Sequence, residues 1–160
     1  MTPSAMAAAA PFVLIRAVLQ ASDLGEPGLR AMLEVVRMGQ YTRITRAFAA
    51  LACAGIQLRT CSRDALVQIP GIGMKTASYF ILFSRRGASV ASLDTHILAF
   101  MDEHRLAPNI PSSTPAGKRY LELEQVFIRH CDARSRDIAE LDFEIWKARN
   151  RGEKRQRRRA

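Results

Sequence analysis

Two residues of this chain, Lys75 and Asp94, have the types and settings for nucleophilic and electrostatic chemistry. Lys75 stands two positions after the second glycine of Pro70-Gly71-Ile72-Gly73, and Asp94 stands nineteen residues further on, in Ala91-Ser92-Leu93-Asp94-Thr95-His96-Ile97. A primary amine attacks an electrophilic carbon only after losing its proton. The first turn of a helix helps, because the positive end of the helix dipole disfavours an ammonium there. Asp94 at an N-cap has the opposite setting, since helix N–H groups favour a carboxylate. It would stabilise a positive charge that develops on a substrate, or help deprotonate the lysine. Taken singly, each has a plainer reading: a solvated or phosphate-contacting lysine, and an ordinary helix cap.

The elements that must position these residues begin with the turn. Hydrophobic-Pro-Gly-hydrophobic-Gly ahead of a helix reads as a helix-hairpin-helix, in which backbone N–H groups at a helix N-terminus hold a phosphate. Gly71, Ile72, Gly73 and Thr76 are the candidate phosphate contacts here. Ile69 and Ile72 anchor the turn, and Pro70 ends the preceding helix. A bare Pro-Gly-x-Gly is also an ordinary interhelical turn.

Periodicity is helical almost throughout, which predicts an all-α fold. Phe12, Ile15, Val18 and Leu19 recur at helical spacing, as do Leu29, Met32, Leu33 and Val36 after a Gly25-Glu26-Pro27-Gly28 break. Residues 42 to 54 pattern around Ile44, Phe48 and Leu51, a short helix starts near Arg63, and the helix carrying Lys75 also carries Tyr79, Leu82 and Phe83. After the Asp94 helix, residues 107 to 117 read as a loop, and Tyr120, Leu123, Val126 and Phe127 mark another helix. The apolar run from Met6 to Ile15 has no basic residue before it, is interrupted by Arg16 and is too short for a bilayer, so a buried or interfacial first helix is expected.

Ile69-Pro70-Gly71-Ile72-Gly73-Met74-Lys75-Thr76-Ala77 and Leu93-Asp94-Thr95-His96 together resemble the helix-hairpin-helix (HhH-GPD) DNA glycosylase superfamily, whose pattern is Leu-Pro-Gly-x-Gly-x-Lys-Thr-Ala followed by x-Val-Asp-Thr-His. The resemblance implies a compact helical bundle. It assigns Lys75 to the nucleophile position of the bifunctional members and Asp94 to the catalytic carboxylate. Arg119 to Glu124 and Glu140-Leu141-Asp142-Phe143-Glu144-Ile145-Trp146 look like the compact 8-oxoguanine DNA glycosylase/AP lyase branch, whose last helix carries a similar Leu-Asp-x-x-x-Trp. In all, the likeness runs over about residues 36 to 150, and is strongest at the hairpin and the aspartate. Two departures concern the base: the chain is shorter ahead of the hairpin, where part of the pocket is built, and continues into Arg-rich sequence where that branch ends in a base-reaching terminus. Superfamily members with an iron–sulfur cluster hold it with four cysteines after the aspartate. Only Cys131 follows Asp94, so no such cluster is expected.

Other residues carry less chemistry. His96 reads as a scaffold residue, and His104 and His130 show no ligand-like spacing, so no metal or other cofactor is expected. Trp146 reads as a core residue beside Leu141 and Ile145 rather than a base-stacking one. The loop Gly39-Gln40-Tyr41 offers a Gln or a Tyr as the wedge that fills a vacated base stack, although the same residues serve equally to cap a helix.

Length and composition, 160 residues and 48% hydrophobic, suit one domain over residues 1–148. Three scattered cysteines, Cys53, Cys61 and Cys131, do not make a secreted disulfide framework and point to a reducing, cytoplasmic, DNA-associated setting. The net charge is +9, of which residues 149–160 supply +6 and leave +3 for the rest. That tail is expected to be disordered and to bind phosphates through Arg151, Lys154, Arg155, Arg157, Arg158 and Arg159, unless it is merely a solubilising end. Arg43, Arg46, Arg85 and Arg86 are candidate contacts on the body. The expected partner is double-stranded DNA with a damaged or modified base, engaged by a monomer and without a membrane. The leading function is a DNA glycosylase with AP lyase activity on 8-oxoguanine or another modified base. Two alternatives share the fold: a phage-type transferase or processing enzyme of modified DNA, and a non-catalytic helix-hairpin-helix DNA-binding module.

Overall fold

The computed structural model describes residues 25–35, 37 and 39–157, and gives only the backbone of Met32 and residues 150–157. Seven helices and no strand occur among the described residues. They are α1 (Gly25–Val35), α2 (Tyr41–Cys53), α3 (Arg63–Val67), α4 (Met74–Ser84), α5 (Thr95–Glu103), α6 (Gly117–Asp132) and α7 (Ile138–Arg157). The expected helix around Phe12 to Leu19 lies outside the described residues, as do Arg158 and Arg159. Where the composition suits one domain over residues 1–148, the contacts group the chain into two compact units, residues 1–72 and 73–160.

In the first unit, Leu29 and Leu33 of α1 are buried against Tyr41, Ile44 and Phe48 of α2, the i, i+4 stripes read from the sequence. Gly25-Glu26-Pro27-Gly28 is not a break ahead of α1 but its first turn. Proline is accepted there because the first N–H groups of a helix have no intrahelical acceptor. Ser62 caps α3, its Oγ accepting the Ala65 N–H at 3.1 Å. Beyond α3 the chain folds tightly, with Ile69 N–H donating to Leu66 C=O at 3.1 Å and Ile72 N–H to Ile69 C=O at 3.0 Å. Ile69 and Leu66 are buried and Ile72 is half-buried, so the turn is anchored as its apolar residues require.

Gly71 has φ +88°, and a Cβ added there would lie 2.9 Å from the Arg43 carbonyl oxygen and 3.2 Å from the Ala47 Cβ. Only glycine fits both conditions. Gly73 differs, with φ −90° and ψ 173° and nothing within 4 Å of an added Cβ. A backbone-angle penalty for a side chain at Gly73 therefore does not apply. Gly71→Ala is expected to destabilise the protein by about 1–3 kcal/mol, while Gly73→Ala leaves the melting temperature nearly unchanged. Thermal melts of the two variants check this, and equal melts would remove the steric argument at Gly71.

The second unit holds the larger core. Leu93, Ile97, Leu98 and Met101 from the α5 region meet Tyr120, Leu123, Phe127 and Cys131 of α6, with Leu141 and Ile145 of α7 closing the cluster. Tyr120, Leu123 and Phe127 face inward as their spacing predicts. Trp146 does not: it is 47% exposed, its ring stacked 6.0 Å from that of Phe143. Leu141 and Ile145 take the core stripe at i, i+4, and the next residue is turned about 100° off it. Tyr79 and Phe83 of α4 are likewise exposed, their rings 4.7 Å apart, whereas Leu82 is buried.

The backbone of α7 continues as helix through Arg157, where the composition predicts an unstructured arm from Arg149. Arg, Lys, Gln and Glu are good helix formers, and extending an existing helix needs no new nucleus. Arg149 also ties the helix down, donating to Glu103 of α5 at 2.7 Å.

Candidate active site

The site is built on the N-terminal ends of α4 and α5. Gly73 is the N-cap of α4 and has no side chain to cap with, so the first N–H groups of that helix are open to an external acceptor. Gly73 and Thr76 are exposed and Lys75 is half-buried in this first turn, as its sequence position predicts. Asp94 is the N-cap of α5: its Oδ1 accepts the His96 N–H at 2.8 Å and the Ile97 N–H at 2.9 Å. Both helix bonds go to a single carboxylate oxygen, so capping does not engage the other one.

Asp94 is delivered by a segment fixed from α6. The Tyr120 hydroxyl donates to the Ala91 carbonyl at 2.8 Å and accepts the Leu93 N–H at 3.3 Å, while Glu124 Oε1 accepts the Ala91 N–H at 2.9 Å. Thr114 Oγ1 donates to the Leu93 carbonyl at 2.8 Å. Ala91, Ser92 and Leu93 are buried, so these bonds satisfy an extended backbone that has no sheet to pair with. In sequence, Tyr120 reads as a core residue, and Glu124 only as part of the family likeness. The available signal is a tyrosine and a glutamate at i, i+4 on the buried stripe of an amphipathic helix.

Asp142 is the third charged residue that the fold brings to Lys75 and Asp94. It lies on the second turn of α7, which packs on both α4 and α5, and is 7% exposed. Burial, then the charge of Asp94, push its carboxyl up to about 7, and Lys75 acts in the opposite direction. Sequence reading reaches Asp142 only through the likeness of its segment. An aspartate between two buried apolar residues is the local sign.

The remaining candidates fall elsewhere. Gly71 is exposed and Ile72 half-buried on the first-unit side of the turn. Arg43, Arg46 and Arg86 are exposed, and Arg85 is half-buried beside a hollow of about 330 Å³ at the far end of α4 from Lys75. Arg151, Lys154, Arg155 and Arg157 lie on the last turns of α7, where only the backbone is described. His104 and His130, distant in sequence, come together with ring centroids 6.4 Å apart around Phe100. Burial, Arg134 and His104 lower the pKa of His130. No group of three or more metal-binding side chains occurs among the described residues, and no described helix is long and apolar enough to cross a membrane.

Residues 35–135 match the family model for 8-oxoguanine DNA glycosylase, Ogg-HhH. The chain is 34% identical over 85 residues to an 8-oxoguanine DNA glycosylase/AP lyase of Metallosphaera sedula, an alignment covering 53% of this chain and 40% of the relative. Proteins of the same name from Thermotoga petrophila and Thermotoga maritima are 35% identical over 86 residues, 53% of this chain and 41% of theirs. The alignments thus span about two fifths of the length of these curated relatives. No solved structure gives a significant match. The family match takes in the hairpin, Lys75 on the first turn of α4 and the capping Asp94, with the Tyr120 and Glu124 clamp that holds it: the chain belongs to the helix-hairpin-helix 8-oxoguanine DNA glycosylase family.

Proposed function

We propose that this chain is a DNA glycosylase with AP lyase activity, acting on duplex DNA that contains 8-oxoguanine or another modified base. The observation that carries the reading is the pairing of an amine and a carboxylate at two helix N-termini within one unit, Lys75 on α4 and a firmly held Asp94 on α5. The target nucleotide is flipped from the stack, and the Lys75 amine attacks its anomeric carbon as the base departs with the electrons of the glycosidic bond. Asp94 offsets the positive charge on the sugar. The nitrogen then loses a proton as the C1′–O4′ bond opens and O4′ takes one up, which gives the Schiff base; this acidifies the neighbouring sugar carbon, and loss of its proton expels the 3′ phosphate by β-elimination and nicks the strand. A binding module would have no use for both groups at this setting.

The N–H groups at the start of α4 would hold a backbone phosphate, with Gly73 allowing close approach and Thr76 beside it. Since Gly73→Ala leaves the backbone unstrained, its effect on affinity for undamaged duplex reports that approach alone. Gln40, exposed and left-handed at φ 47°, makes no capping bond with its side chain, which favours it for the wedge over the cap.

A panel of duplexes, each with one lesion or an abasic site, tests the proposal by borohydride trapping and strand nicking. Adducts on modified-base and abasic duplexes support it; binding without adduct or nick on any of them overturns it.

The basic end of α7 supplies non-specific affinity. Deleting residues 150–160 removes six Lys or Arg and is expected to flatten the slope of log affinity against log salt, by close to one unit for each phosphate that these side chains neutralise. Single-turnover excision at saturating enzyme should fall much less. A retained slope with abolished excision would place Lys154 or Arg155 at the base instead.

A further inference from the structure

We propose that Asp142 is the group that takes the proton from the Lys75 ammonium as the amine becomes the nucleophile, leaving Asp94 to face the sugar. The inference rests on the reading of Lys75 as the nucleophile.

Three observations lead to it. Asp142 is almost fully buried, and its Oδ2 has no hydrogen-bond partner among the described residues. An unpartnered carboxylate oxygen inside a fold is costly, so its position needs an explanation beyond packing. The helix that carries it packs on the two helices that present Lys75 and Asp94, and these are the charges that act on it. From α6, which also packs on α7, the buried carboxylate Glu124 is engaged with the Ala91 N–H. Finally, the two aspartates have different surroundings. Asp94 takes two backbone N–H bonds, whereas Asp142 takes none among the described residues and burial pushes its carboxyl up to about 7. Two carboxyl groups in surroundings this different can divide the work of charge stabilisation and proton transfer.

The transfer balances. An N–H bond of the ammonium breaks and an O–H bond forms on Asp142, so a charged pair becomes a neutral pair with no proton lost to solvent. The freed nitrogen lone pair makes the bond to the sugar carbon as the glycosidic bond breaks and its electrons leave with the base, or, at an abasic site, as the carbonyl π electrons move to oxygen. Burial favours this exchange, since it removes two opposite charges from a poorly solvated place. It requires Asp142 to start ionised, so it fails as pH falls below about 7, when Asp142 already carries a proton.

The test is the single-turnover rate of adduct formation on abasic duplex, reduced with cyanoborohydride between about pH 5 and pH 9, for wild type, Asp142→Asn and Lys75→Gln. Wild type should rise through about pH 7 and then flatten. Asp142→Asn, the same size but unable to accept the proton, should be about tenfold or more slower at neutral pH and should approach wild type at the alkaline end, where hydroxide removes the proton. A uniform slowing of Asp142→Asn at every pH, or an unchanged profile, overturns the proposal. Should that variant fail to fold, the wild-type profile decides, because a rate without a rise near pH 7 excludes the transfer. An adduct persisting in Lys75→Gln overturns the nucleophile assignment instead, a separate result.

Discussion

A Lys75→Gln protein is expected to form no covalent adduct with abasic or lesion-bearing duplex under borohydride, while binding the same duplexes within about tenfold of wild type. Glutamine preserves most of the reach and polarity of lysine on the first turn of α4, where the side chain is only half-buried, so the fold should be untouched. What disappears is the lone pair. An amide nitrogen is not a nucleophile, and no imine forms for hydride to reduce. Affinity survives because the phosphate contacts assigned to the α4 N-terminus are made by backbone N–H groups, which the substitution leaves in place. A full-strength adduct in Lys75→Gln would move the nucleophile to another amine, and a collapse of binding would make Lys75 a phosphate contact.

The hairpin, the lysine and the capping aspartate were legible in sequence because each is a local pattern. Pro70, Gly71 and Gly73 punctuate the chain, and an aspartate just ahead of an apolar helical run reads as an N-cap wherever it occurs. The helix stripes were legible for the same reason, through Leu29 and Leu33, or Leu123 and Phe127. Asp142 was not, since nothing near it in the chain says that α7 lies against α4 and α5. Its nearness to Lys75 joins residues 67 positions apart. Trp146 failed in a different way. Its type suits a core, but the stripe of Leu141 and Ile145 sets which face is buried, and residue type alone does not give phase. Gly71 and Gly73 look equivalent in sequence, and only their dihedrals separate a steric requirement from open space.

Asp94→Asn should lower single-turnover excision by about a hundredfold or more while the protein remains folded. The variant keeps an oxygen able to accept the His96 and Ile97 N–H bonds now made to Oδ1, so α5 retains its cap. The Ala91–Leu93 segment stays clamped by Tyr120 and Glu124, whose bonds go to backbone and not to the Asp94 side chain. Geometry is therefore conserved and the negative charge is removed, which isolates the electrostatic contribution to a sugar turning positive in the transition state. Adduct formation on a preformed abasic site should suffer less than base excision, because no base has to be expelled there. Melting curves and the two rates, measured side by side, check the prediction. Near wild-type excision would reduce Asp94 to a cap, and a large fall in melting temperature would show that an amide does not replace the carboxylate at the start of α5.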